Sequence, residues 1–152
     1  MQIVNGNQYL EEIKDLILDY VKSLNQDLTF QNFDDEIGDL AAKYLPPHGE
    51  ILAAIDDEGQ VFGCVAYHRH SDTRCEVKRL YVKPEYRELK AGRKLLTEII
   101  DHARKAGYQE MVLDTLETLQ AAIHLYEKFG FKRIAPYYHN PLEGVVYMGL
   151  DL

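Results

Sequence analysis

Residues 80–96 read LYVKPEYRELKAGRKLL. The residues up to Val82 alternate in strand fashion, and Pro84 ends the strand because proline cannot donate to a sheet ladder. Apolar residues then recur at helical spacing from Ala91 to Ala103, and Gly107 provides a helix stop. The segment therefore predicts a β-strand, a tight turn and the first turns of an amphipathic helix.

The turn between this strand and helix is strongly basic. From Lys78 to Lys94 the chain carries seven basic residues and two acidic ones, a local charge of +5. A strand-to-helix turn directs free backbone N–H groups outward, and the helix dipole adds positive potential, so the segment is suited to bind an anion such as phosphate. A solvated helix start is the simpler alternative. The GxxxxGK[ST] and GxGxxG patterns are absent, which argues against ATP, GTP or NAD.

Composition bounds the remaining function classes. The chain has 152 residues and a net charge of −8, so we expect one domain over residues 1–152 and no nucleic-acid partner. It has no apolar run of membrane-spanning length and no secretory pattern at its start, so we expect no membrane association. Two cysteines make no disulfide framework, and we expect a cytoplasmic protein.

The periodicity of the whole chain predicts an α/β (α+β) fold. Helices are expected over residues 8–25 and 33–44, then near 91–103 and 119–126. Strands are expected over residues 51–55, 61–68, 75–82, 111–113, 131–134 and 146–152. The order is ααβββαβαββ. A strand–helix–strand crossover after antiparallel strands implies a mixed, mostly antiparallel central sheet with helices on both faces.

Two segments of the chain resemble the Gcn5-related N-acetyltransferases (GNAT). Residues 80–96 resemble the family's motif A, V-x-P-x-x-[RQ]-x-x-G-x-[GA]. Residues 122–131, AIHLYEKFGF, resemble its second motif, A-x-x-L-Y-x-x-x-G-F. The resemblance covers nearly the whole chain. It implies a GNAT-like fold and transfer of an acetyl group from acetyl-CoA to a primary amine of a small molecule or peptide, by direct attack in a ternary complex.

The resemblance also implies which residues bind acetyl-CoA. The pantetheine arm of the cofactor maps to the backbone of Leu80, Tyr81 and Val82. The pyrophosphate maps to the turn, which comprises Arg87, Glu88, Leu89, Lys90, Ala91, Gly92 and Arg93. This position coincides with the anion site inferred from charge and geometry alone.

The chain departs from the family pattern at two positions. Lys90 replaces the first motif glycine, and a lysine there fits a phosphate only if its backbone keeps an unstrained helical or turn conformation. Leu119 stands where the second motif often carries an asparagine that contacts the cofactor. These departures motivate two alternatives, a catalytically degenerate acyl-CoA-binding or regulatory module and a plain interaction domain.

Acetyl transfer to an amine requires a base for the ammonium proton and an acid for the leaving thiolate. Tyr126 matches the tyrosine of the second motif and is the predicted acid. It is otherwise an aromatic residue on an apolar helix face. Glu76 lies six residues before Val82, where some family members carry their base. Strand parity places it on one face with Lys78, Leu80 and Val82 unless a bulge intervenes. An ordinary strand charge, or a chain of waters as the base, are the alternatives.

The amine acceptor is open. Arg79, Tyr138 and Asn140, with the neighbouring Tyr137, are predicted to shape its pocket, and surface loop aromatics are the alternative. An arginine there favours an acceptor with a carboxylate, such as an amino acid or peptide end. The first 75 residues carry 14 acids and 5 bases, which instead favours a cationic polyamine or basic peptide.

No metal is expected. Cys64, His68 and His70 share a predicted strand face and Cys75 follows a turn, but strand positions four apart are separated by about 13 Å, too far for shared ligation. The sequence does not choose between a monomer and a homodimer.

Overall fold

One mixed β-sheet runs through the computed structural model, which describes residues 1–24 and 33–152. Its strands are β1 (Gln2–Asn5), β2 (Gly49–Ile55), β3 (Val61–Arg69), β4 (Arg74–Val82), β5 (Glu110–Leu116), β6 (Lys132–Arg133) and β7 (Val145–Asp151). The helices are α1 (Leu10–Leu24), α2 (Phe33–Gly38), α3 (Leu40–Tyr44), α4 (Ala91–Lys105) and α5 (Gln120–Lys128), with 3-10 helices at Gly6–Tyr9 and Pro84–Leu89. None of these described helices is long and apolar enough to cross a bilayer.

The strands lie in the order β1-β2-β3-β4-β5-β7-β6. Every neighbouring pair is antiparallel except β4 and β5, which are joined through α4 and run parallel. Helices α4 and α5 pack on one face of the sheet, and α1, α2 and α3 pack on the other. The predicted mixed, mostly antiparallel sheet with helices on both faces is confirmed.

Two details of the predicted element order are wrong. The chain begins with an unpredicted strand, β1, whose four residues are too few to show an alternating pattern; it pairs with β2 from Gln2↔Ile55 to Asn5↔Leu52. The single helix expected over residues 33–44 is two helices, because Asp39 starts a new one by accepting a hydrogen bond from the Ala42 N–H at 3.2 Å. Residue 25, the predicted end of the first helix, lies outside the described residues.

Strands β4 and β5 separate after three paired positions. Their register runs from Arg74↔Glu110 to Glu76↔Val112 and then stops. Beyond that point β4 continues with β3 on one side, as far as Val82↔Gly63. Strand β5 continues with β7 on the other side, as far as Leu116↔Val145. A gap therefore opens in the middle of the sheet, on the carboxyl side of the parallel pair.

A β-bulge at Arg79 changes which way β4 faces as it enters this gap. The register with β3 shifts between Cys64 and Ala66, and Arg79 has a left-handed backbone with φ of 63°. Beyond the bulge, Leu80 and Val82 pack with the α4 core, together with Val77. The expectation that Glu76 shares a face with Leu80 and Val82 is therefore wrong, because the extra residue reverses the alternation. Lys78, on the near side of the bulge, keeps the face of Glu76.

A buried ion pair secures the bulge. The Arg79 side chain donates from Nε to Oε2 of Glu36 at 2.7 Å and from Nη2 to Oε1 at 2.9 Å. Lys43 Nζ donates to the same Oε1 at 2.9 Å, and the guanidinium lies 5.4 Å from the centroid of the Phe33 ring. Burial alone would raise the pKa of Glu36, but the bonds and charges of Arg79 and Lys43 outweigh it and hold the pKa at about 2.

We predict that Glu36→Gln destabilises the protein by about 3–5 kcal/mol at pH 7, because it leaves the Arg79 charge buried without a carboxylate. The native pKa lies below the ordinary 4.5, so the Glu36 contribution is present above pH 4.5 and is lost as the pH falls toward 2. Urea unfolding at pH 7 and pH 3 measures both effects, and the difference between variant and wild type should shrink at pH 3. Glu98→Gln, on the exposed side of α4, is the control. Equal stability of Glu36→Gln and wild type at pH 7 would contradict the role of the pair.

Candidate active site

The gap between β4 and β5 opens into a cavity of about 740 Å³. Its walls come from the end of β4, the start of α4, the end of β5, the first turns of α5, the end of α1 and the loop before β7. Predicted site residues that line it are Arg79, Leu80, Tyr81, Val82, Arg87, Lys90, Gly92, Arg93, Tyr126 and Asn140. The structure thus brings together residues from both motif segments.

Six predicted residues lie outside the cavity walls, and one of them, Tyr137, donates a hydrogen bond from its hydroxyl to Glu76. Ala91 is buried in the core under α4, and Glu88 and Leu89 are exposed on the turn. Tyr138 does not line the cavity, but its hydroxyl donates a hydrogen bond to Asp114, which does. Glu76 is buried beside the cavity. Of these residues, Ala91 can still offer its backbone N–H to a ligand.

One end of the cavity is built to hold an anion. Arg87, Lys90 and Arg93 line it. Helix α4 begins at Ala91. The Lys94 N–H donates to the carbonyl of Lys90, the residue before the helix, at 3.3 Å. The N–H groups just before Lys94 therefore precede the helical ladder. A Cβ added at Gly92 would have its nearest neighbour, a Leu125 methyl, at 3.8 Å, so the glycine leaves open space for a ligand.

The β4 edge offers a second binding surface. On its β3 side, Tyr81 and Val82 are paired with Cys64 and Gly63. On the β5 side the pairing ends at Glu76. The backbone groups of Leu80–Val82 that face the gap thus have no strand partner and can pair with an extended ligand chain as a β-strand does. The Val82 carbonyl accepts a long hydrogen bond, 3.4 Å, from Arg87 Nε.

Tyr126 lies on α5 with 9% of its surface exposed, and its ring packs edge-on against Phe131. Burial raises the pKa of its phenol, and the charges of Tyr20 and Asp114 add to the effect. Tyr126 is therefore a neutral phenol at neutral pH, which leaves a proton available to a group bound in the cavity.

Glu76 does not line the cavity, and its carboxylate contacts three neighbouring side chains. Its carboxylate bonds to His68 Nε2 at 2.7 Å, accepts from the Tyr137 hydroxyl, and lies 3.8 Å from Lys78 Nζ. Burial alone would raise its pKa, but the His68 bond, the Lys78 charge and the Tyr137 bond outweigh it and hold the pKa at about 2. A carboxylate this acidic is a weak proton acceptor, so its assignment as the base stays a prediction.

Arg79 lines the cavity, but its guanidinium is engaged by Glu36 in a two-point ion pair. The expectation that this arginine binds an acceptor carboxylate therefore loses its basis. Within the described residues, no group of His, Cys, Asp and Glu is arranged to hold a metal ion.

Sequence reasoning missed Asp114 and Lys78, which both line the cavity. Asp114 accepts hydrogen bonds from the Tyr138 hydroxyl and from Asn140 Nδ2, the latter at 2.8 Å. A signal was present for Asp114, because a carboxylate directly follows the buried Met111–Leu113 run. Lys78 gave no such signal, since its contact with the cavity depends on how far β4 and β5 separate.

Comparison with known proteins decides the family. A model of the acetyltransferase (GNAT) family matches residues 10–131. The chain belongs to the GNAT family. An uncharacterized N-acetyltransferase of Schizosaccharomyces pombe is 51% identical over 146 residues, which cover 95% of this chain and 90% of that relative. This GNAT chain is accordingly an N-acetyltransferase enzyme.

Solved structures share the fold of this GNAT. A crystal structure of an acetyltransferase from Streptococcus agalactiae has a TM-score of 0.81 at 26% identity and covers 99% of this chain and 98% of its own. A GNAT family acetyltransferase from Elizabethkingia anophelis with acetyl-CoA bound has a TM-score of 0.61 at 22% identity, covering 74% of this chain and 82% of its own. At that identity the second likeness concerns the fold alone.

Both departures from the GNAT motifs lie in the cavity wall. Lys90 has φ of 56° and ψ of 32°, a left-handed conformation, so the unstrained helical or turn backbone named above as the condition for a lysine at this position is not met. Glycine would take this conformation without strain, whereas lysine bears a cost of about 1 kcal/mol. Leu119 is the N-terminal cap residue of α5 and makes no side-chain cap hydrogen bond, so a polar contact made by asparagine is absent.

We predict that Lys90→Gly is more stable than Lys90→Ala by about 1 kcal/mol, because glycine adopts a positive φ without strain and alanine does not. The two variants lose the same charge, so each is the control for the other in thermal unfolding. An alanine variant that is equally stable would show that the left-handed conformation costs nothing at this turn.

Proposed function

We propose that this GNAT transfers an acetyl group from acetyl-CoA to an amine by direct attack in a ternary complex. One observation carries the proposal: a single cavity joins the basic turn before α4 to the polar residues at the end of β5, with Tyr126 in its wall. A donor entering from the turn and an acceptor entering beside β5 would meet in the gap between β4 and β5.

The anion end suits the diphosphate of coenzyme A. Arg87, Lys90 and Arg93 supply charge, and the backbone N–H groups at Gly92 and its neighbours supply donors. The unpaired edge of Leu80–Val82 suits the two amide groups of pantetheine, which can pair with it as a strand does. Acetyl-CoA is also bound by the Elizabethkingia protein that shares this fold.

The chemistry follows from these positions. The acceptor gives up its ammonium proton, its nitrogen bonds to the thioester carbonyl carbon, and the C–S bond breaks. Backbone N–H groups near Leu80–Val82 polarise the carbonyl oxygen. Tyr126 would donate its phenol proton to the thiolate of coenzyme A as that thiolate leaves, and solvent would restore the proton to Tyr126.

Burial acts on both partners of this proton transfer. It raises the pKa of thiols, as it does for Cys64 and Cys75, to about 12, so a thiolate formed in the enclosed gap is more basic than a thiolate in water. It also raises the pKa of the Tyr126 phenol, so Tyr126 stays protonated until a thiolate forms beside it. A free thiol is more acidic than a phenol, and the transfer is therefore completed by the solvent proton that restores Tyr126.

The ammonium proton needs its own acceptor. We retain Glu76 for this role from the sequence. Because Glu76 and its hydrogen-bond partner His68 both lie outside the cavity walls, Glu76 would act only through a relay of further groups. A chain of waters is the alternative route.

A catalytically degenerate acyl-CoA-binding module is the second candidate. Two observations motivate it: the strained backbone of Lys90, and Leu119 at the start of α5, whose side chain makes no cap hydrogen bond.

We predict that acetyl-CoA binds in calorimetry and that Arg93→Ala weakens binding about tenfold, the effect of one charge-assisted contact. Arg104→Ala, on the exposed end of the same helix, is the control. Absence of binding would overturn the cofactor, and binding without thiol release from any amine would favour the degenerate module.

We predict that Tyr126→Phe lowers kcat by about 100-fold and leaves acetyl-CoA affinity within about twofold, because the hydroxyl acts on the leaving sulfur and not in binding. Thiol release with a reactive amine gives kcat, and calorimetry gives the affinity. Tyr67→Phe removes a hydroxyl from a buried tyrosine outside this cavity and should leave turnover unchanged. Normal turnover in Tyr126→Phe would remove this residue from the mechanism.

A further inference from the structure

Lys78 and Asp114 occupy equivalent positions on the two strands that separate. The last paired residues of β4 and β5 are Glu76 and Val112, and each charged residue stands two positions further along its own strand. Side chains two apart on a strand point to the same face. Lys78 and Asp114 therefore flank the gap on the face that carries α1, and both line the cavity.

The Asp114 carboxylate is hydrogen-bonded by neutral groups. Its donors are the Tyr138 hydroxyl and the Asn140 amide, and no lysine, arginine or histidine lies within 4.0 Å of it among residues 1–24 and 33–152. The donors orient the carboxylate but bring no opposite charge into ion-pair distance, and the Lys78 ammonium acts on it only through space. A carboxylate held this way suits an ammonium group.

The Lys78 ammonium has the opposite arrangement. Only 8% of its side chain is exposed, and its carboxylate partner, Glu76, is 3.8 Å away and already engaged by His68 and Tyr137. Lysine has three N–H donors, so a buried ammonium with one distant partner can accept a further anionic one. Arg79, the neighbouring cation, is already matched by Glu36.

These two groups discriminate between the classes of acceptor. A polyamine would gain from Asp114 but would bring its second ammonium toward Lys78, and like charges in an enclosed site repel strongly. An amine that carries its own carboxylate can satisfy both groups at once. The apolar side chains of Leu24 and Leu142 also line the cavity and can contact the rest of such a molecule.

We propose that the acceptor is an amino acid or a compound of the same zwitterionic class, with its ammonium on Asp114 and its carboxylate on Lys78. This assignment rests on the proposed acetyl transfer and deepens it by naming the acceptor class.

The test is a thiol-release assay at saturating acetyl-CoA. The acceptors are the twenty common amino acids, their amides, their decarboxylated amines, and spermidine as a polyamine. We expect free amino acids to react, with kcat/KM at least tenfold above that of the amide and the amine with the same side chain. Each matched set differs in the carboxylate alone, so the ratio reports recognition of that group.

Variants assign the preference to residues. Lys78→Met should raise KM for the best amino acid at least tenfold while leaving its amide unchanged, and Lys78→Arg should restore part of the preference. Asp114→Asn should lower kcat/KM for the amino acid and the amide alike. Lys105→Met, on the exposed end of α4, is the matched control, and an unchanged acetyl-CoA affinity verifies that each variant is folded.

The outcomes distinguish failure of the zwitterionic acceptor from failure of the proposed acetyl transfer. Equal kcat/KM for amino acids and their decarboxylated amines, or a preference for spermidine, would overturn the zwitterionic acceptor and leave acetyl transfer standing. The same holds if Lys78→Met, folded and binding acetyl-CoA, keeps the wild-type preference. Acetyl-CoA binding with no reaction of any amine would overturn the acceptor class and favour the degenerate module. Failure to bind acetyl-CoA would overturn the proposed function itself.

Discussion

The buried ion pair between Arg79 and Glu36 is the interaction on which the site depends. Arg79 occupies a left-handed bulge in the middle of β4, a conformation that costs a residue with a side chain about 1 kcal/mol or more. The two-point bond to Glu36, with Lys43 on the same carboxylate, compensates for that cost from the opposite helical layer. The helices on the α1 face thereby influence the shape of a strand whose far end lines the cavity and packs against the α4 core.

The bulge and the separation of β4 from β5 act together. Up to Glu76 the two strands are paired, and the sheet is closed to ligands. Past the bulge, Leu80 and Val82 have turned their side chains onto the α4 core, while the backbone of Leu80–Val82 has no strand partner on the β5 side. An unpaired strand edge inside a protein is costly unless a ligand completes it, so the same feature that weakens the sheet creates a binding surface.

Local patterns in the sequence predicted most of the elements and most of the residues that line the basic end of the cavity, because a strand, a basic turn and a helix start are contiguous in the chain. The acceptor end could not be predicted in this way. It is assembled from α1, β4, β5 and the loop before β7, and its geometry depends on where β4 and β5 stop pairing. Arg79 illustrates the difference: its charge suggested an acceptor ligand, but its partner, Glu36, lies 43 residues away.

The net negative charge of the chain no longer favours a cationic acceptor once the partners of its carboxylates are known. Glu36 is bonded to Arg79 and Lys43, and Glu76 to His68 and Tyr137, so neither presents a free charge to an acceptor. Asp114 retains one, and Lys78 opposes it across the gap. The acceptor end therefore presents one charge of each sign in a protein whose net charge is −8. A ligand that matches both charges replaces its lost hydration with paired contacts, whereas a polycation would bury an unmatched charge beside Lys78.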